Sequence, residues 1–489
     1  MNFYFEAATV LDRLDEKKGS IKGMLGALPA QNRKRTTALV LESLKYKSAL
    51  KEILDASGVL QLEKRVFDSA RASPQNIALL LLHDLLFAKG GIQAGDGPLK
   101  QAILRHKTRL NAELVKIKIK RGAQSKENLV QQSDPRASKI PRYARVNTLK
   151  TTLSAAVIDL TSRGYTDGDE AKGTVFTYDK HVPNLLLFDS NRSLHLDPAY
   201  ERGELILQDK ASCLPPLVLQ PPSHDKACVI DATAAPGNKT TLLSALMRNK
   251  GKLFALERDK RRFKTLQMML EKAGATNVEA RNEDFTSLDP TAPEFAHVTH
   301  ILLDPSCSGS GIVNRLDYLL DDNDENDATD DDRLERLASF QLAMIKHALQ
   351  FPAAQRIVYS TCSVHAVENE RVVRAALEAA GDSWTLARRE DVLPTWSRRG
   401  LQEELGPDED ATSLIRCMPG EDETNGFFVS CFVRRSSLSA VGQKRNATEA
   451  ADSAGPKKKK RRKNKKKKKK GANQENAPVQ VESVENDSD

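Results

Sequence analysis

The sequence predicts a Rossmann-like α/β domain, because short apolar segments that end in acidic residues alternate with helical segments. Residues 227–259 (ACVIDATAAPGNKTTLLSALMRNKGKLFALERD) give a strand, a loop of small residues, a helix and a second strand. We expect a small α/β subdomain and an N-terminal helical domain before this unit, and a disordered basic tail after it. The expected boundaries are 1–135 for the helical domain, 136–200 for the small subdomain, 201–436 for the Rossmann-like domain and 437–489 for the tail.

Composition bounds the class of protein. The chain has 489 residues, 39% of them hydrophobic, which is enough for two or three domains. Its six cysteines include no CxxC pair, so we expect neither a zinc site, or any other metal site, nor a disulfide framework. The first residues acquire charge too early for a signal peptide, and no run of about 18 apolar residues occurs. We therefore expect a protein of a reducing compartment with no membrane partner.

Charge is strongly segregated along the chain. Residues 457–470 carry thirteen positive charges, residues 321–332 carry eight negative charges, and residues 471–489 carry five more negative charges. The net charge of +9 is the same with or without these three segments, so the folded body is itself basic. Basic proteins of this kind commonly bind a polyanion.

The N-terminal third is expected to be helical, with apolar residues at helical spacing in segments 5–11, 36–53, 76–87 and 99–117. Residues 101–150 contain thirteen Lys or Arg against three acids, a density that favours a nucleic-acid-facing surface over a merely solvated helix face. An extended segment at 140–150, a helix at 153–163 and a strand at 185–188 predict the small subdomain. Residues 203–219 are expected to lead into the main domain.

In the main domain, four successive strands are each followed by an acid. The pairs are 229–230 with Asp231, 252–256 with Glu257, 278–280 with Asp284, and 301–303 with Asp304. The phosphate-binding G-x-G-x-x-G pattern is missing, but an acid after the second strand suits ribose hydroxyls. Any one of these acids is also explained as a helix N-cap. As a set they favour a nucleoside-bearing ligand lying across the strand ends.

Two cysteines fall in loops at the ends of neighbouring strands. The segment 305–315 (PSCSGSGIVNR) is expected to be a flexible loop that places Cys307 beside Asp304. Cys362 follows the apolar strand 357–359, and the alternative for it is an ordinary buried thiol. Between these loops, residues 321–332 are expected to be a disordered acidic insertion and 333–349 an amphipathic helix.

The domain is expected to close with a β-rich edge element at 426–433. Beyond it, residues 456–470 (PKKKKRRKNKKKKKK) have the charge density of a nuclear or nucleolar localisation signal, which implies the nuclear import machinery as a partner. A purely solvated tail is the alternative.

Three motifs resemble one known family. DATAAPGNKT (231–240), LLDPSCSGSG (302–311) and YSTCSVHAVENE (359–370) are similar to motifs of the Nop/Sun family of RNA (cytosine-5) methyltransferases. PRYARVNTLK, ILQDKASCLPPLVL and GFFVSCFVR match flanking motifs, so the resemblance covers about 141–435 and points to the branch that acts on large-subunit ribosomal RNA. Thr233 stands where the family usually has cysteine, and we expect little functional effect from this.

The chemistry explains why two thiols are needed. Carbon 5 of cytosine is a poor nucleophile, and a thiolate that adds at carbon 6 turns it into an enamine-like nucleophile. Protonating or hydrogen-bonding N3 of the base helps this addition, which suits a carboxyl group such as Asp304. A second thiol or its associated water would assist loss of the carbon 5 proton and release. The resemblance implies Cys362 as the nucleophile, Cys307 as the release residue and Asp304 as the base contact. The exchanged roles, as in DNA cytosine methyltransferases, stay open.

The resemblance also implies S-adenosylmethionine as cofactor and ribosomal RNA or a pre-ribosome as substrate, with the target base single-stranded or flipped out. The basic segment 101–150 and the small subdomain, 136–200, would then be RNA-binding and hold the phosphates. Glu257 would take the ribose hydroxyls, Asp284 would lie near the adenine, and Lys239 is alternatively a structural or RNA-facing residue. The full expected cofactor set is Ala234, Ala235, Pro236, Gly237, Asn238, Lys239, Thr240, Glu257, Arg262, Asp284 and Asp304. The alternatives are a non-catalytic RNA-binding ribosome assembly factor, a methyltransferase for tRNA or another RNA, and a DNA or small-molecule methyltransferase. The expected location is the nucleus, in the nucleolus.

Overall fold

The computed structural model describes residues 2–435 except 17, 19–20, 131–133, 314–318 and 320–326. The expected tail with its basic run therefore lies outside the described residues, as does the first half of the acidic block. Within the described ranges, no helix has both the length and the apolar character that crossing a bilayer requires.

The N-terminal part is helical, as its apolar spacing predicts. Two of the expected helices are each divided in two, at Tyr46 and His106, where the backbone leaves helical geometry. Helix Pro74–Leu86 runs through the core and is buried on nearly every face, since it is apolar almost all round. The helices are α1 Asn2–Asp15, α2 Ile21–Gly26, α3 Arg33–Lys45, α4 Lys47–Ser57, α5 Val59–Leu62, α6 Lys64–Asp68, α7 Pro74–Leu86, α8 Pro98–Arg105 and α9 Lys107–Lys120.

A five-stranded sheet follows, in the order β2-β3-β4-β1-β5. Its elements are β1 Arg142–Val146, α10 Leu153–Ser162, β2 Thr166–Asp167, β3 Val175–Tyr178, β4 Leu185–Phe188, α11 Pro198–Glu201 and β5 Leu205–Leu207. Strand β5 pairs antiparallel with β1. We expected residues 203–219 to lead into the main domain, and β5 within this segment completes the smaller sheet. A three-residue apolar run carries no information about its partner strand.

The main sheet is doubly wound, with the order β11-β13-β10-β9-β6-β7-β8. Its elements are α12 Lys210–Leu219, β6 Cys228–Asp231, α13 Asn238–Leu246, β7 Lys252–Leu256, α14 Lys260–Ala273, β8 Val278–Arg281, β9 His300–Leu303, α15 Asp327–Leu349, β10 Arg356–Thr361, α16 Glu370–Ala380, β11 Trp384–Leu386, α17 Gln402–Leu405, β12 Ile415–Cys417 and β13 Phe427–Arg434. Strands β6 to β10 run parallel, and the strand order reverses between β6 and β9. Such a reversal is where open α/β sheets bind ligands.

Two expectations for this domain need correction. Strand β13 is not an edge element, because it pairs with β10 on one side and with β11 and β12 on the other. The acidic block is not an unstructured insertion throughout, because helix α15 already begins at Asp327. Acidic residues favour the first turn of a helix, where they complement the helix dipole. Leu319, in the preceding segment, is 1% exposed and joins the core of the N-terminal helices.

The smaller sheet is attached to the main domain through buried polar side chains. Asn147 donates from Nδ2 to the carbonyl oxygens of Gly203 and Ala273, at 2.8 Å in each case. Arg145, 1% exposed, donates to Gln208 Oε1 at 2.9 Å and to Thr241 Oγ1 at 3.0 Å. Because Thr241 belongs to α13, the loop before that helix is supported from the small sheet.

Candidate active site

The carboxyl ends of β6, β7, β9 and β10 meet at one edge of the sheet. They form an open cleft of about 280 Å³, and both cysteines lie on its wall. Three of the expected acids also line this cleft: Glu257, Asp284 and Asp304. The structure thus brings the acid-ended strands and the two cysteine loops together, as the sequence predicts.

The two sulfur atoms lie against each other. Strands β9 and β10 are parallel neighbours with Leu303 opposite Tyr359, and each leads directly into a cysteine loop. Cys307 Sγ and Cys362 Sγ are 3.0 Å apart, and both residues are half-buried cysteines outside any disulfide. The hydrogen bond with Cys362, burial and the charge of Asp304 raise the pKa of Cys307 well above its usual range. Cys307 therefore keeps its proton.

Asp304 is held from three directions. Its Oδ2 accepts from Lys239 Nζ at 2.8 Å, its Oδ1 accepts from Ser360 Oγ at 2.7 Å, and its backbone N–H donates to Thr233 Oγ1 at 3.0 Å. Burial alone would lower the pKa of Lys239, but the Asp304 carboxylate outweighs it and the pKa is raised. Lys239 therefore stays charged and is a structural partner of Asp304. Thr233, at the position where the resemblance leads one to expect cysteine, supplies a hydrogen-bond acceptor to the site.

The buried side chain of Asp231 holds the loop that follows strand β6. It is 1% exposed, and its carboxylate accepts from Thr240 Oγ1 at 2.8 Å and from the Thr233 N–H at 3.4 Å. Burial raises the pKa of Asp231 to about 6, against the hydrogen bonds from Thr240 and Thr233, which lower it. The loop is thus fixed at both of its ends by one buried carboxyl group.

The acids after β7 and β8 face the cleft with partners of their own. Glu257 is 4% exposed and accepts from the Asp259 N–H at 2.8 Å, with Arg262 Nη1 at 3.3 Å from its other oxygen. Asp284 is an N-cap, as its alternative explanation proposed, and accepts from the Thr286 N–H at 2.9 Å. It nevertheless lines the cleft, so the two explanations are compatible.

None of the residues in the expected 234–240 loop lies on the wall of this cleft. Ala234 and Ala235 are buried, and Gly237 faces α14, where a Cβ would meet Met269 Cβ at 3.1 Å. Its φ of +112° is also one that side chains rarely adopt, so glycine is required here for helix packing. The members of the expected cofactor set that do not line the cleft are Ala234, Ala235, Pro236, Gly237, Asn238, Lys239 and Thr240.

Sequence reasoning missed several residues of the cleft. Arg258 and Phe340 both line it, and the Arg258 guanidinium lies 5.5 Å from the centre of the Phe340 ring. Arg258 follows Glu257 directly, so its position after the strand was a usable signal. Phe340 lies far away on helix α15, and no local pattern connects it to the strand ends.

Family models match the chain over three consecutive stretches. Residues 34–130 match the N-terminal domain and residues 140–208 the ferredoxin-like domain of NOL1/NOP2/Sun domain family member 5. Residues 216–433 match the 16S rRNA methyltransferase RsmB/F model. The second match ends after β5, in agreement with the place of that strand in the smaller sheet.

Similar proteins cover almost the same length. The 25S rRNA (cytosine-C(5))-methyltransferase rcm1 of Schizosaccharomyces pombe is 44% identical over 88% of this chain and 91% of its own. The 28S rRNA (cytosine-C(5))-methyltransferase of Mus musculus is 39% identical over 89% and 91%. The crystal structure of PH0851 is 19% identical and superposes with a TM-score of 0.55 over 88% of this chain and 97% of that one, which supports the fold. The resemblance seen in the motifs is confirmed, and this chain belongs to the NOL1/NOP2/Sun family of methyltransferases, in its member 5 branch.

Proposed function

We propose that this protein methylates carbon 5 of a cytosine in large-subunit ribosomal RNA, with S-adenosylmethionine as methyl donor and Cys362 as nucleophile. The observation that carries the proposal is the contact between the two sulfur atoms at 3.0 Å in a cleft that also holds Asp304. The relatives named as 25S and 28S rRNA (cytosine-C(5))-methyltransferases support the substrate class.

The cleft carries groups suited to both a methyl donor and a base. Its volume of about 280 Å³ is close to the lower end of the range typical of small-molecule sites, about 300–1,000 Å³, and it is open on one side. Glu257 presents a carboxylate for ribose hydroxyls, and Asp284 lies farther along the same wall. Arg262 would hold Glu257 in place, and the 234–240 loop would support the donor from behind the strand ends. S-adenosylmethionine supplies the methyl group when it is bound.

Cys362 begins the reaction. Its thiolate forms a bond to carbon 6, and the electron pair of the C5–C6 double bond moves towards N3, so that carbon 5 becomes nucleophilic. N3 must take up a proton as this electron pair arrives, and the Asp304 carboxyl group, anchored by Lys239 and Ser360, lies beside this position to deliver the proton and to take it back when the adduct collapses. The new bond between carbon 5 and the methyl group is then formed at the expense of the donor's sulfur–methyl bond.

Cys307 completes the reaction. Once Cys362 is bonded to carbon, it no longer raises the pKa of Cys307 as a thiolate, so the Cys307 thiol can lose its proton to solvent. The Cys307 thiolate then takes the proton from carbon 5. The electron pair of that C–H bond restores the C5–C6 double bond, and the bond between carbon 6 and sulfur breaks to return Cys362 as a thiolate.

Fewer cations of residues 101–150 are available to bind RNA than the basic content of this segment indicates. Arg145 is buried, and Lys120 and Arg121 are both paired with Glu52. We propose that exposed cations flanking these, such as Lys139, contact the phosphates. The basic run at 457–470 would direct the protein to the nucleus through the import machinery, and to the nucleolus. A fluorescent fusion that lacks residues 456–470 should lose this localisation.

The proposal is tested by methyl transfer to large-subunit ribosomal RNA stripped of its modifications. The wild-type protein should methylate carbon 5 of cytosine in this RNA, and a DNA of the same sequence should not be a substrate. Cys362→Ala should abolish turnover while it retains donor binding, measured by calorimetry. Cys431→Ala is the matched control, because Cys431 is a buried thiol of β13 that does not line the cleft. Full turnover by Cys362→Ala, or donor binding without methylation of any RNA, would contradict the proposal.

A further inference from the structure

A fully buried carboxylate lies directly behind the Cys307 loop. Glu368 is 0% exposed and belongs to the short turn that follows the Cys362 loop. Its Oε1 accepts from the Ser308 N–H at 2.9 Å, and its Oε2 accepts from Ser308 Oγ at 2.6 Å. Burying a carboxyl group is costly unless its oxygens are hydrogen-bonded, and here both oxygens are bonded to the residue after Cys307.

Helix α15 holds the other side of the same loop. Gln341, 0% exposed, donates from Nε2 to Glu368 Oε1 and to the Ser306 carbonyl oxygen, at 3.0 Å in each case. The residues on both sides of Cys307 are therefore fixed by one connected set of hydrogen bonds that centres on Glu368. The loop is held in place, although its composition predicts a flexible one.

The same set of hydrogen bonds reaches the strand that carries Cys362. The Tyr359 hydroxyl lies 3.0 Å from Gln341 Oε1 and 2.5 Å from the Glu368 carbonyl oxygen, and it donates its proton to one of them. Ser363 Oγ lies 3.2 Å from Ser308 Oγ. The position of one sulfur atom relative to the other is thus determined by contacts on the side of the loops away from the cleft.

We propose that Glu368 is a positioning residue for the release step, which fixes Cys307 over carbon 5 of the Cys362 adduct. The inference rests on the proposed function and assigns a part in it to a residue that touches neither substrate nor cofactor. Proton transfer from carbon requires the accepting atom within hydrogen-bond reach, and a displacement of about 1 Å typically costs on the order of a hundredfold in rate. The addition step uses Cys362 itself and depends less on the Cys307 loop.

The test separates release from methyl transfer. Glu368→Gln keeps the shape of the side chain but replaces one acceptor oxygen with a donor that faces Ser308. The first turnover of methyl transfer should stay within about threefold of wild type, whereas release slows by about tenfold to a hundredfold. The slow step should appear as protein–RNA adduct that survives denaturing electrophoresis, as we also expect for Cys307→Ala. The double variant should release no more slowly than Cys307→Ala alone.

Glu370→Gln is the matched control. Glu370 is also 0% exposed and lies two residues away, but its carboxylate accepts from Arg416 and from the Leu401 N–H. It should lower stability without adduct accumulation. If Glu370→Gln accumulates adduct to the same extent, or Glu368→Gln releases product at the wild-type rate, the inference is wrong.

A second variant covers the case in which Glu368→Gln does not fold. Ser308→Ala removes the hydroxyl that bonds Glu368 Oε2 and leaves the buried carboxylate with its other partners. It should accumulate adduct to a smaller extent, and release at the wild-type rate would overturn the inference. Failure of the proposed function itself would look different, because the wild-type protein would then form neither methylated RNA nor adduct with Cys307→Ala.

Discussion

Asp231 gives the sharpest test of how the cofactor side of the site is built. Burial raises its pKa from 3.8 to about 6, so the folded protein holds this proton more tightly than the unfolded chain does. The stabilisation from the bound proton is complete below the unfolded pKa and is lost as the pH rises through the folded one. A difference of about two pKa units corresponds to roughly 3 kcal/mol. At pH 8, the buried charge of Asp231 therefore lowers the free energy of unfolding of the wild type by about this amount. Asp231→Asn carries no such charge and avoids this loss.

The measurement is the difference in unfolding free energy between Asp231→Asn and wild type, taken from pH 4 to pH 8. Both tryptophans of the chain, Trp384 and Trp396, are buried in the main domain, so urea unfolding followed by their fluorescence reports on that domain. The difference should shift in favour of the variant by roughly 3 kcal/mol as the pH rises. Because the other titrating groups are common to both proteins, their contributions cancel in this difference.

Asp259→Asn is the control. The pKa of Asp259 is lowered by hydrogen bonds from the backbone N–H groups of Arg262 and Arg261 in the first turn of α14. Its contribution is present above the unfolded pKa of 3.8 and is lost only as the pH falls below that value, so the difference for Asp259→Asn should stay nearly constant from pH 4 to pH 8. A pH-independent difference for Asp231→Asn would refute the reasoning, since it would mean that this carboxyl group titrates in the folded protein as it does in the unfolded chain.

Three further predictions follow from packing and charge. Gly203→Ala should destabilise the junction of the two sheets by more than about 1 kcal/mol in thermal unfolding, because φ is +74° and a Cβ would lie 2.2 Å from a backbone carbonyl of α14; unchanged stability would contradict this. Lys239→Met should lower the free energy of unfolding in urea by roughly 3 kcal/mol, because it leaves a carboxylate in the site without its cation. Lys252→Met removes an exposed ion pair and should lower it by under about 1 kcal/mol. Equal losses for the two variants would show that burial of the ion pair does not affect its contribution. Hydrogen peroxide should oxidise Cys307 and Cys362 to a disulfide, with two molecules of water formed and activity restored by dithiothreitol; loss of activity without a cross-linked peptide in mass spectrometry would contradict the close approach of the thiols.

The parts of the fold that the sequence predicted are those set by local pattern. Strands 252–256 and 185–188 were predicted with their observed limits, because each is a run of apolar and β-branched residues bounded by turns. The meeting of Cys307 and Cys362 followed from the rule that parallel strands present their carboxyl ends at one edge. The family, the fold class and the enzyme class are confirmed by the comparisons, whereas the domain boundaries and the roles of single residues stay predictions.

What was missed depends on contacts between distant segments. Residues 426–433 were recognised as β-forming and residues 205–207 were placed in a segment leading into the main domain, but which strands each pairs with is decided by tertiary packing. Residues 36–53 gave one apolar pattern, although the helix is interrupted at Tyr46. Glu368 stands in a polar run, and nothing local showed that its carboxylate would be buried against Ser308.

The central claim is that Cys362, and not Cys307, attacks the base. The most direct measurement is peptide mapping by mass spectrometry of the covalent complex formed with ribosomal RNA by Cys307→Ala in the presence of S-adenosylmethionine. The account predicts a nucleotide attached through Cys362, with a methyl group on carbon 5 of the trapped cytosine. No complex with Cys307→Ala, together with a nucleotide attached through Cys307 in the Cys362→Ala protein, would show that the roles of the two cysteines are exchanged.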